Sequence, residues 1–187
     1  NGGDNWFPSG LFTGLTPGIY NVQIRDDVNK TCITVLNSSL TLTGPSQLSA
    51  SVSFANITCN GLRDGIINIS FPAGGYGTYD YSVDGINWWP TGNFPGLSPG
   101  TYIVAIRDRA HPLCVMILEN ALQLTQPDPL SGTVTSTDIT CFGSRDGSII
   151  ISDPSGGYGT FAYSINGGSA WQESGTFTNL APGNYDV

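Results

Sequence analysis

The 187 residues carry a net charge of −8 with only six Lys and Arg. That balance argues against nucleic acid, whose phosphates need clustered cations, and against a polybasic membrane contact. With 25 Gly, 12 Pro and 11 % aromatic residues, the chain favours short strands and tight turns over long helices, and no apolar run approaches a membrane span.

Taken in order, residues 1–45 read as the later part of a repeating unit. A Trp-bearing turn at Asn1–Trp6 (NGGDNW) precedes Leu15–Cys32 (LTPGIYNVQIRDDVNKTC), and a last strand runs from Cys32 to Leu42. The LTPGIY stretch returns 82 residues on as Leu97–Cys114 (LSPGTYIVAIRDRAHPLC) and begins again at Leu180 (LAPGNYDV). In each copy a Pro-Gly turn leads into apolar alternation, the pattern of a half-buried strand. A repeat of about 82 residues therefore organises the chain.

The complete repeat is expected over 46–127. Strand signals fall at Leu48–Cys59, with Val52, Phe54 and Ile57 as apolar anchors, then at Ile66–Phe71 and Tyr79–Val83. Asp84-Gly85 marks a hairpin into a short strand through Asn87–Pro90. Further strands follow at Asn93–Leu97, after Pro99-Gly100, and at Cys114–Leu124. Seven short strands in roughly 80 residues suit an immunoglobulin-like β-sandwich. Residues 128–187 open another repeat with the same landmarks: ITCFGSRDG, GGYGTFAYSING and Trp171. The joints, Thr43-Gly-Pro45 and Thr125-Gln-Pro127, are short and contain Pro, so neighbouring repeats should be held semi-rigidly. The broken repeats at either end are expected to be completed by further sequence or by a neighbouring molecule.

Together, ITCNGLRDGIINIS, GGYGTYDYSVDG and GLSPGTYIVAIRD closing on Cys114 resemble the SprB repeat of Bacteroidota surface proteins. The matching positions are Cys59, Gly61, Gly65, Gly74, Gly75, Tyr79, Tyr81, Ser82, Leu97, Gly100, Tyr102 and Cys114. The resemblance implies secreted tandem-repeat proteins displayed on the cell surface, including gliding adhesins, with no catalytic residues and no cofactor.

Four cysteines, Cys32, Cys59, Cys114 and Cys141, are the disulfide candidates. An even strand count between the Cys-bearing turns leaves Cys59 and Cys114 at one pole, where they bridge. An odd count sets them at opposite poles, and bridges then cross between repeats. A bridge within the repeat closes a long loop and contributes roughly 4 kcal/mol, which favours Cys59–Cys114 although the seven strands counted above oppose it; Cys32 and Cys141 then need partners outside the chain.

His111 is the single histidine, stands next to Pro112, and has Asn29 in its place one repeat earlier; it reads as a turn residue, not a catalytic base. Asp64, Asp84, Asp108 and Asp146 fall in turns, where Asp serves the backbone. Arg63-Asp64, Arg145-Asp146, Arg25-Asp26 and Arg107-Asp108 suit ion pairs that fix turns. Ca²⁺ binding by turn carboxylates is the alternative, although the alternating ligands of a calcium loop are missing.

Trp88 and Trp89 adjoin on a strand, so their side chains oppose each other. Trp6 and Trp171 share the place of Trp88, which makes it the core member and leaves Trp89 as a surface-contact residue. Tyr76 and Tyr158, flanked by glycine, are the other contact candidates, set against simple loop packing.

The resulting expectation is a non-enzymatic structural and adhesive segment of an extracellular array that assembles into a filament. Its partners are neighbouring repeats or copies of itself. The alternative is a glycan-binding accessory module with Trp89 and Tyr76 as its sugar platform.

Overall fold

A computed structural model describes residues 5–187, so Asn1–Asp4 of the NGGDNW segment lie outside the described residues. The chain is all-β: eleven strands and no helix among the described residues. The strands are β1 (Gly18–Arg25), β2 (Ile33–Leu42), β3 (Ser49–Ala55), β4 (Gly65–Ala73), β5 (Tyr79–Ser82) and β6 (Asn93–Leu97). They continue as β7 (Gly100–Asp108), β8 (Val115–Leu124), β9 (Asp128–Thr137), β10 (Gly147–Gly157) and β11 (Thr176–Leu180).

The middle of the chain forms two antiparallel three-stranded sheets, ordered β3-β4-β6 and β5-β7-β8. Alternation decides which side chains enter between them. Ile67 and Ile69 of β4 face Val104 and Ile106 of β7, with Ile57, Tyr81, Leu122 and Leu124 closing the same core. Ile57 takes the core place at the end of β3, and Phe54 is left exposed.

The flanking segments repeat each sheet separately. β1 and β2 pair in the register of β7 and β8, including the shifts after Tyr20 and Val22 that match those after Tyr102 and Val104. β9-β10-β11 repeats β3-β4-β6. A bulge recurs as well: Phe71 and Asp153, each before a proline, have φ of 52° and 50° where β4 and β10 bend.

Three expectations need correction. The stretch through Asn87–Pro90 is no strand; it touches β5 by a single two-bond pairing of Trp89 with Tyr81, so the repeat holds six strands. Trp88 is half-buried and lies outside the core, its ring 4.6 Å from the guanidinium of Arg107, as Trp6 lies 4.5 Å from that of Arg25. Arg107 alternates with the inward Val104 and Ile106, so this stack covers the outer face of the sheet.

The third concerns the cysteines. Cys59 sits in the turn from β3 to β4, at the pole that also holds Leu97 and Thr125. Cys114 closes the turn from β7 to β8, at the other pole beside Tyr79 and Gly75. A strand of nine residues separates the poles, roughly 30 Å at ~3.3 Å per residue, against the ~7 Å limit between bridged Cα atoms. The Cys59–Cys114 bridge is not formed; all four cysteines are exposed free thiols.

Candidate functional site: the joint between repeats

The turn that carries Cys59 is clamped from within. Asp64 accepts hydrogen bonds from the Thr58 amide (3.1 Å) and from the Thr58 hydroxyl, and Asp146 accepts the same pair from Thr140 (3.2 and 2.5 Å). The hydroxyl bonds, followed by the amide bonds, hold both carboxyls below their ordinary range. Asp64 and Asp146 therefore serve their own turns, and the described residues show no ion pair to Arg63 or Arg145.

The clamped turn grips the linker that follows β8. Thr125 exchanges bonds with Asn56 Oδ1 and the Ile57 amide, Gly61 N–H donates to Gln126 Oε1 (3.0 Å), and Asn60 Nδ2 donates to the Pro127 carbonyl (3.0 Å). One residue further on β9 begins. From the next repeat, the Tyr158 hydroxyl reaches back and donates to the Ile57 carbonyl at 3.1 Å. Tyr158, one of the surface-contact candidates, is thus a joint residue.

Tyr76 holds the same place in the middle repeat. Its amide donates to Asp108 Oδ2 (2.5 Å), and its ring lies 4.2 Å from that of His111. Asp108 also accepts the amides of Ala110 and His111 (2.8 and 3.0 Å), so this buried carboxylate ties the Gly-rich loop to the β7–β8 turn. The Tyr76 amide, ahead of the other two donors, holds its carboxyl low against the opposing pull of burial. Gly75 is required here: a Cβ would stand 2.5 Å from Asp108 Oδ2, at φ of +58°.

A second buried acid had no signal in the sequence beyond an Asp within a strand. Asp80 receives Arg107 (3.0 Å) and Arg109 (2.7 Å). Burial pushes its carboxyl up, and the two guanidinium bonds outweigh that and leave it low. In the hairpin, burial likewise opposes a set of bonds from Asn87, Ile86 and Ser82 that brings Asp84 down to about 2.

Trp89 is exposed and meets Phe94 edge-on, with ring centroids 5.5 Å apart. An open groove of about 490 Å³ runs between β3 and β8, lined by Gln47–Ala50 and Met116–Leu118; Ser49 is its one hydroxyl, with no acid or base among the lining residues to activate it. Among the described residues no three His, Cys, Asp or Glu side chains gather as a metal site.

Two stretches of the chain, residues 51–87 and 133–170, match the family model of the SprB repeat, a structural repeat of cell-surface proteins. No curated protein and no solved structure matches the chain.

Proposed function

Starting from a chain that carries the SprB repeat twice, we propose that it is a segment of an extracellular, semi-rigid array whose role is structural and adhesive. The array is divided at 46 and 128, and it offers length and a polar, weakly charged surface in place of chemistry. The observation that carries this reading is the joint. A flexible tether would leave the backbone of Thr125–Pro127 without partners in the chain, whereas here Asn56, Asn60, Gly61 and Tyr158 all bond to the largely exposed linker or to the turn beside it. Fixed angles between successive small cores make a long, directed stalk, the arrangement that holds a surface protein away from its cell.

The glycan-binding alternative rests on Trp89, the one exposed tryptophan of the middle repeat. Its proposed companion Tyr76 counts against it, because the counterpart Tyr158 is engaged at a joint. Small-angle scattering and polysaccharide-binding assays on the whole chain separate the two readings. An elongated particle with no saturable glycan affinity supports the array. A compact particle, or glycan binding abolished by Trp89→Ala at unchanged melting temperature, overturns it.

A further inference from the structure

The turn that grips the linker has an Asn-Gly pair at its centre. Asn60 and Gly61 are closed in by the Leu62 amide, which donates to the Cys59 carbonyl at 3.2 Å, and Gly61 takes a φ of +82°. The same turn forms in the next repeat between Cys141 and Ser144, with Phe142 in the place of Asn60. The turn therefore does not require asparagine.

Asn-Gly is the pair in a polypeptide most prone to losing its side-chain amide, because no side chain shields the glycine nitrogen. That nitrogen attacks asparagine Cγ. A new N–Cγ bond forms, the Cγ–Nδ2 bond breaks, and Nδ2 leaves as ammonia with the proton that the backbone amide gives up. Water then opens the cyclic imide at either carbonyl, giving aspartate or its β-linked isomer. Water is the one co-reactant, and nothing is oxidised or reduced.

In this chain the linker holds both reacting nitrogens. The attacking one, Gly61 N, donates to Gln126 Oε1 at 3.0 Å, and the departing one, Asn60 Nδ2, donates to the Pro127 carbonyl at 3.0 Å. Taking the proton from Gly61 breaks the first bond, and swinging Cγ onto that nitrogen breaks the second. We propose that Asn60-Gly61 is a self-modification site gated by the joint, consuming water and releasing ammonia when the linker lets go. Its products cannot rebuild the joint. Aspartate at 60 has no side-chain N–H for the Pro127 carbonyl, and the isomer lengthens the backbone and displaces the Gly61 amide from Gln126. A joint that has opened and reacted stays soft. The proposal rests on the docked linker described above and is independent of adhesion.

Ageing the whole chain in mildly alkaline buffer, with peptide mapping by mass spectrometry at intervals, tests it. The rate follows the fraction of open joints, and each net hydrogen bond lowers that fraction about fivefold. Asn60 is expected to react at least about 25-fold more slowly than in the same chain unfolded in urea. Gln126→Ala, at an exposed residue outside both cores, should speed the reaction about fivefold, while Gln126→Glu keeps an acceptor oxygen and the wild-type rate. Asn166-Gly167 is the internal control. Its side chain is held within one hairpin turn by Ser164 and Ala170, and its rate should not change with Gln126. Asn60→Asp copies one product and should quicken hydrogen exchange at the Thr125 amide about fivefold, with the core of the middle repeat still protected. Equal rates at Asn60 in wild type and Gln126→Ala, both slow, overturn the proposal and leave the docked linker standing. Unchanged Thr125 exchange in Asn60→Asp overturns the softening. A wild-type rate equal to that of the unfolded chain overturns the proposal and the stiff joint together.

Discussion

Truncating Ile106 to alanine probes the core of the middle repeat, and the chain contains its own control. Ile106 is fully buried between the two sheets, and Ile24 is the same residue of the repeat with more than half its surface in water. Ile→Ala removes about three carbon groups at ~0.8 kcal/mol each, roughly 2.4 kcal/mol of transfer energy. A residual cavity raises this to about 3–4 kcal/mol, inside the usual 2–5 kcal/mol span. At Ile24 less than half the transfer term survives and no closed cavity forms, so about 1 kcal/mol is expected. Hydrogen exchange followed by mass spectrometry on dilute protein reads the two sites separately, which matters because neighbouring repeats need not unfold together. Ile106→Ala should collapse protection across Gly100–Asp108 and in β4 and β5, and Ile24→Ala should leave both almost unchanged. Equal losses at the two sites, or less than about 1 kcal/mol at Ile106, would refute the assignment of the core.

Acid should unfold the chain late. Asp64, Asp80, Asp84, Asp108 and Asp146 all sit below the ordinary value of 3.8, so the folded chain releases protons that the unfolded chain keeps. Their contribution is fully present above that value and is lost as pH falls through the folded values, to about 2 for Asp84; circular dichroism should be flat from pH 7 to 5 and fall only below about 4. Gly74→Ala should cost more than about 2 kcal/mol by denaturant titration, since its Cβ would stand 2.0 Å from the Gln47 carbonyl. Gly61→Ala has a similar positive φ and open space around it, so the conformational penalty alone, about 1 kcal/mol, should appear. Phe71→Gly relieves a non-glycine residue at φ of 52° on an exposed bulge and should raise the melting temperature of the middle repeat; an unchanged or lower value would show that the ring itself stabilises the bend.

Much of the architecture was legible from the chain because repetition makes local signals cumulative. Pro99-Gly100 followed by Tyr102, Val104 and Ile106 fixes a turn and an inward face, and its earlier copy at Pro17-Gly18 repeats the strand. The misreadings arose where the outcome depended on contacts across the sandwich. Asn87–Pro90 looks like a strand by composition but leaves β5 after one pairing, because Asp84 ties the hairpin to Ser82, Ile86 and Asn87 instead. That stretch still runs back along β5, so the odd count of chain passes holds and sets Cys59 and Cys114 at opposite poles; the preference for a bridge that closes a long loop is what misplaced them. Trp88 recurs in every repeat, which suggested burial; recurrence here preserves a stack on Arg107. The joint was half visible. Its brevity and its prolines implied stiffness, but only the fold brings Asn60 to Pro127 and Tyr158 to Ile57, residues 67 and 101 positions apart.

The joint is tested most directly by the distance between Cys59 and Cys141, the same turn in successive repeats and both exposed thiols ready for spin labels once Cys32 and Cys114 are changed to serine. Pulsed dipolar spectroscopy on dilute protein should give one narrow distance, broadened by Tyr158→Phe combined with Asn60→Ala while the core of the middle repeat stays protected. A broad distribution in the otherwise unaltered chain would mean that the repeats swing freely, and the account of a directed array would be wrong.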